Sequence, residues 1–196
     1  MKLLSILQII YPLSPEVVLF LKDRLTVCHH HKHTLILSAG QICDTIYFVE
    51  KGIARGYYQH KDEEITSWFV QEDDFLCSPY SFLRQKPSFE SIELLEDSVL
   101  VAIPLALLDE VYQRFPETNQ IGRVIAEKYL LMYDARLHSL RHHKADEKLA
   151  NFIEHFPDIF KRAPRKQIAT YLGMTAGSLS RALSKKHQRI CKNYHL

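Results

Sequence analysis

Nowhere in its 196 residues does the chain hold an apolar run near the ~20 residues that a membrane-spanning helix needs. A membrane partner is therefore not expected. The four cysteines, Cys28, Cys43, Cys77 and Cys191, include no C-x-x-C pair. That spacing excludes a zinc ribbon and a thioredoxin-type motif, and leaves free thiols in a reducing compartment as the reading. The start, MKLLSILQIIYP, is apolar but lacks a basic n-region and a small-residue cleavage site, so a cytoplasmic protein is expected. No nucleophile–base–orienter set, purposeful carboxylate pair or phosphate-cradling glycine loop stands out. The expectation is a protein that is not an enzyme and carries no cofactor. Acidic residues, finally, are missing after Asp158.

That last absence gives the charge its pattern. Residues 1–140 hold 13 Lys and Arg against 19 Asp and Glu, a net −6. Residues 141–196 hold 12 against 4, a net +8. An acidic body with a basic end points that end at a polyanion, the alternative being a merely solvated basic tail.

SPEVVLFLKDRL opens with Ser14 as N-cap and Pro15 at the first helical position, which predicts a helix. From about His29 to Ile103, short β-branched and aromatic runs (TLIL, TIYFVE, ARGYYQ, ITSWFV, SVLVAI) alternate with turn signals. Strands this short and frequent predict a sandwich or jelly-roll. Pro104 starts a further helix, PLALLDEVYQRF, and Pro116 stops it. Glu117 to about Arg141 then reads as one long helix with apolar residues on more than one stripe, including Tyr129 and Leu137. One face could pack on the barrel and another on a second copy, or both could bury in one subunit. The residues expected on the dimer side are Ile121, Val124, Ile125, Lys128, Leu131, Met132 and Ala135.

The basic end contains RKQIATYLGMTAGSLSRALSKK, Arg165 to Lys186. Ile168, Ala169 and Leu172 make one apolar face, Gly173 suits a helix end with φ > 0, and Thr175 can cap a second helix. Leu179, Ala182 and Leu183 form the inner face of that second helix. Helix, glycine turn, capped helix is a helix-turn-helix pattern, although an ordinary αα-hairpin shares the apolar spacing. The residues expected to meet DNA are Arg165, Lys166, Thr175, Ala176, Ser178, Ser180, Arg181, Lys185 and Lys186.

RKQIATYLGMTAGSLSRAL resembles the helix-turn-helix of the Crp/Fnr family of bacterial transcription regulators. LSAGQICDTIYFVEKGIARGYY resembles that family's cyclic-nucleotide-binding-type β-roll, with Gly40 and Gly52 at its hairpin turns. The resemblance implies an α+β fold: an N-terminal double-stranded β-helix (jelly-roll) sensory domain at 1–116, a long dimerisation helix at 117–143, and a helix-turn-helix domain at 144–196. It implies a homodimer on two-fold related duplex DNA, with RNA polymerase among the partners it admits. Arg181 matches the family's recognition Arg, whereas Ala176 and Gly177 stand where bases are usually read. The connection from His155 to Pro164 is short and lacks strand character, the tail HQRICKNYHL is short too, and a full β wing is not expected. The N-terminal cysteine cluster of the family's iron–sulfur members is missing.

The family's nucleotide-binding members carry a Gly-Glu pair and then an Arg with a small hydroxyl residue, to hold the ribose and cyclic phosphate. Aligned without gaps, Cys77 and Ser78 fall at the first pair, Ser88 and Phe89 at the second, and Glu90 and Glu93 would repel phosphate. Arg84 falls in the helix-like PYSFLRQ and reads as a surface residue. The expectation is no cAMP binding. An unidentified small effector could instead use Trp68, Phe75, Cys77, Ser78, Tyr80, Phe82, Ser88 and Phe89, unless the aromatics are plain core.

CHHHKH raises one competing class. His29, His31 and His33 on one strand face would resemble the H-x-H of metal-dependent cupin enzymes. No acid follows in TLILSAG, so a solvent-facing strand is the simpler reading and no metal is expected. A ligand-binding jelly-roll with a degenerate DNA-binding end is the other variant of this alternative.

Overall fold

A computed structural model describes residues 1–142 and 144–193, with side chains for 1–141 and 144–185. It opens on helix α1 (Lys2–Ile10), which buries Leu3 and Leu4. The apolar start is thus an amphipathic helix that the capping signals did not announce. Helix α2 (Pro15–Lys22) follows as its cap predicts: Val17 N donates to Ser14 Oγ at 3.3 Å.

Eight strands come next: β1 (Thr26–His30), β2 (Leu35–Leu37), β3 (Thr45–Lys51), β4 (Ala54–His60), β5 (Glu63–Val70), β6 (Phe75–Leu76), β7 (Ser91–Leu94) and β8 (Ser98–Pro104). Helix α3 (Pro79–Arg84) sits between β6 and β7. They form two four-stranded sheets, ordered β1-β8-β3-β6 and β2-β7-β4-β5. One core joins them: Leu37, Val49, Ala54, Val70, Leu76, Ile92, Leu94 and Leu100 are buried together, one or two from each of seven strands. Gly40 and Gly52 take φ of +90° and +117° at the expected turns.

Phe48 and Val101 form a second cluster with Leu3 of α1. Helix α4 (Leu105–Arg114), with Pro104 as its N-cap, packs Leu107 and Val111 against Val17, Phe20 and Leu21 of α2. Phe20 meets Phe115 edge-on at 5.3 Å.

Helix α5 (Thr118–His142) runs for 25 residues. Four helices follow: α6 (Ala145–His155), α7 (Pro157–Arg162), α8 (Arg165–Tyr171) and α9 (Ala176–Asn193). The connection before Arg165 is helical, and after β8 the described residues contain no strand.

Contacts divide the chain into two units: Met1–Tyr58 with Trp68–Leu130, and Gln59–Ser67 with Leu131–Leu196. The long helix is therefore shared between units rather than standing apart. Its first half is tied into the first unit by buried Ile121 and by Tyr129, which hydrogen-bonds Asp74 and the backbone N–H of Phe75. Among the described residues, no helix is long and apolar enough to cross a membrane.

Candidate nucleic-acid interface and ligand loop

The second unit builds its helix pair from local chemistry. Gly173 N donates to Thr170 O and Met174 N to Ala169 O, each at 3.0 Å. These two bonds make a Schellman end, and the φ of +64° at Gly173 is the left-handed turn it requires. Thr175 then caps α9: Ser178 N donates to Thr175 Oγ1 at 3.1 Å. Ile168, Ala169, Leu172, Leu179 and Ala182 are all buried, so the two helices close on the face their spacing predicts.

The opposite side of α9 is polar. Thr175, Ala176, Ser180, Arg181 and Lys185 are exposed and Ser178 is half-buried. Arg181 Nη2 donates to Ser178 Oγ at 3.2 Å, which holds the guanidinium near the start of the helix. Lys185 Nζ lies 3.6 Å from Asp146 Oδ2, so an acid of α6 tempers this cation. Arg165 stacks over Phe160 at 3.8 Å and donates to its carbonyl, while Lys166 is exposed. The Lys186 side chain lies outside the described residues.

In the first unit, the segment from Phe75 to Asp97 contains β6, α3 and β7. Ser78 and Ser88, two of the positions where nucleotide chemistry was sought, are buried at 0% and 3% exposure. A 3.0 Å hydroxyl–hydroxyl hydrogen bond joins them, Ser88 Oγ donates to Glu90 O and accepts from Glu90 N. The serines thus satisfy one another and their own backbone. Trp68 closes the adjoining space. A Cβ on Gly56 would stand 2.2 Å from the indole, so glycine is what lets the ring lie against β4. Indole Nε1 donates to buried Glu90 Oε2 at 3.1 Å, which makes this acid a partner of Trp68 rather than an isolated charge. Arg84 is exposed, as its helical placement predicts.

The predicted ligand residues divide between the core and the surface. Phe82 is buried in the main core, and Phe75 packs edge-on to Phe48 at 5.3 Å. Tyr80 and Phe89 are exposed and lie against each other at 5.9 Å. A cavity of about 230 Å³ instead opens beside β2 and β3, lined by Ile36, Leu37, Cys43, Asp44, Tyr47 and Cys77 among others. Cys77 is the residue it shares with the predicted set.

On α5, Val124, Leu131, Met132 and Ala135 are exposed and Ile125 is half-buried. Two expected dimer residues are otherwise engaged. Ile121 is buried in its own unit, and Lys128 Nζ pairs with Asp74 Oδ1 at 3.0 Å. Tyr129, counted by its ring as an apolar position, is a polar anchor: its hydroxyl donates to Asp74 Oδ1 and accepts from Phe75 N. Burial, then the Asp74 charge, push its pKa upward, so the phenol keeps its proton.

The three-histidine face does not form. Strand β1 ends at His30, and His33 has φ +66°, beyond a turn that reverses the alternation. His33 Nδ1 bonds Glu93 Oε1 at 2.8 Å, and His31 is almost fully exposed, 3.8 Å from Asp97. Among the described residues, no group of three His, Cys, Asp or Glu could hold a metal ion.

These elements define an α+β class: a β-roll of two sheets, a long helix and a C-terminal helical unit with a helix-turn-helix pair. Residues 27–115 match the cyclic nucleotide-binding domain family. The chain is 27% identical to the fumarate and nitrate reduction regulatory protein of Vibrio cholerae and 25% identical to electron transport regulator A of Shewanella oneidensis. Each match covers 76% of this chain and 64% of the relative, so the chain spans less than two thirds of their length. FixK2 from Bradyrhizobium japonicum has the same fold, with a TM-score of 0.73 at 20% identity over 84% of this chain and 85% of its own. Residues 27–115 are thus similar to a cyclic nucleotide-binding domain, and the chain is similar to the Vibrio cholerae and Shewanella oneidensis regulators.

Proposed function

We propose that this chain is a transcription regulator that binds two-fold related duplex DNA as a homodimer. In this reading residues 1–116 form a sensory roll, 117–143 a dimerisation helix and 144–196 the DNA-binding module. The observation that carries it is the capped start of α9, which presents Ser178 and Arg181 after a Schellman turn on an acid-free basic end. Ser180 and Lys185 extend that surface, Lys186 is assigned to it from the sequence alone, and Arg165 and Lys166 supply phosphate contacts at the start of α8. The exposed Val124, Leu131, Met132 and Ala135 are the face offered to a second copy. RNA polymerase is a partner, the cytoplasm is the compartment, and no catalytic step is assigned. Two curated relatives named as regulators support the reading.

Selection of binding sequences from random duplex DNA, with and without small metabolites from a cell extract, tests it. The expected result is a two-fold related motif whose affinity falls steeply with salt. Failure to enrich any motif in either condition would mean that the basic end no longer reads DNA.

The roll is proposed not to take a cyclic nucleotide. Ser78 and Ser88 supply no charge to a phosphate and already bond each other, and the Trp68 ring occupies the space against Gly56. Titration calorimetry with cAMP and cGMP is expected to show no saturable heat. Micromolar binding of either with one site per chain would refute this.

A further inference from the structure

The cavity of about 230 Å³ between β2, β3, β6 and β7 lies wholly within the first unit and excludes both buried serines from its lining. More of its exposed lining is polar than apolar, so a ligand there meets both kinds of wall. Here Ile36, Leu37, Leu76 and Ile92 supply aliphatic wall. The polar lining is Gln41, Asp44, Thr45, Tyr47 and the thiols of Cys43 and Cys77, and it contains no Lys, Arg or His. An anion would therefore leave water for a site with one carboxylate and no cation, which is unfavourable. Burial pushes the Cys77 thiol up to about 12 and also raises Cys43, so both sulfurs stay protonated and neutral. Asp44 Oδ1 accepts from Thr45 Oγ1 at 2.9 Å, which orients the carboxylate. A carboxylate can accept about four hydrogen bonds, so a ligand donor can share it.

We infer that this cavity is a binding site for a small uncharged ligand that sets one apolar face against the aliphatic wall and directs one hydrogen-bond donor at Asp44. The site shares Cys77 with the aligned nucleotide positions but differs in chemistry from a cyclic-phosphate site. It also stands apart from the DNA-binding reading, because binding is measured on the chain without DNA.

Indole is a suitable probe: planar, neutral and with a single N–H. Indene, its isostere without the donor, and indole-3-carboxylate, an anion, are the controls. Titration of the full chain, followed by calorimetry or by protein chemical shifts, is expected to give saturable sub-millimolar binding of indole, weaker binding of indene and none of the carboxylate. Asp44→Leu replaces an exposed residue and should weaken indole by about tenfold while leaving indene unchanged. Cys77→Met enlarges a lining side chain and should weaken both neutral probes. No saturable indole binding, equal indole affinity in Asp44→Leu, or preference for the carboxylate would each overturn the inference. Should Cys77→Met fail to fold, the exposed Asp44 variant and the indene comparison decide alone.

Discussion

Replacing Arg55 with leucine lowers the stability of the β-roll by about 3 kcal/mol, measured as a fall in the denaturant midpoint. The antiparallel register of β4 and β7 sets Arg55 directly opposite Glu93. Arg55 Nε and Nη2 donate to Glu93 Oε2 at 2.9 and 2.7 Å, and the guanidinium lies 4.1 Å above the Tyr57 ring. The side chains are 4% and 13% exposed. Removing the cation leaves a largely buried carboxylate with His33 on its other oxygen, and that remaining partner keeps the loss at the low end for a broken buried pair.

Acid changes the size of this effect. Burial alone would raise the Glu93 pKa, but hydrogen bonds from His33 and Arg55, with the Arg55 charge, outweigh it and hold the carboxyl below its ordinary 4.5. A carboxyl depressed in the folded state stabilises fully above its unfolded value and loses that contribution as pH falls through the folded one. The gap between wild type and Arg55→Leu should therefore be steady near neutrality and narrow below about pH 4.5. A gap that is unchanged in acid would mean that Arg55 acts through packing over Tyr57, not through Glu93.

Arg181→Ala is expected to weaken binding to the selected DNA sequence by ~1–3 kcal/mol more than binding to random duplex. Arg181 is exposed near the capped start of α9, with Ser178 Oγ as its hydrogen-bond acceptor. An arginine there can make a bidentate contact with a guanine edge, which alanine cannot replace. Lys166→Ala should weaken both duplexes alike and lower the salt slope by about one. Equal losses on both duplexes for Arg181→Ala would make it a phosphate contact, and specificity would then rest on Ser178, Ser180 and the methyl of Ala176.

The parts of this site that could be read from the chain are those whose partners lie within a few residues. Ser14 capping α2, the Gly173 turn and the Thr175 cap each join groups at most five positions apart. Runs of β-branched and aromatic residues between turn signals likewise placed β3, β4, β5 and β8 within a residue or two. Helix α3 matches the helix-like PYSFLRQ, while β6, two residues long, had no pattern of its own. The alternative three-histidine face does not form because alternation holds only while the strand continues, and β1 stops at His30.

Short strands between helices, the helix-turn-helix and the basic end were legible in the chain, because strand runs, caps and net charge are properties of neighbouring residues, whereas the α+β class came from the family resemblance. Tertiary structure alone decided which polar groups meet. Glu93 looked like a repulsive charge beside a ligand loop until the register set Arg55 against it, 38 residues away in the chain. Tyr129 looked apolar until the fold brought Asp74 to its hydroxyl across 55 residues. The cavity lined by Cys43, Asp44 and Cys77 is a gap between packed side chains from four strands and the loop before β3. No local pattern encodes such a gap, because its volume depends on how distant side chains fail to fill the space between two sheets.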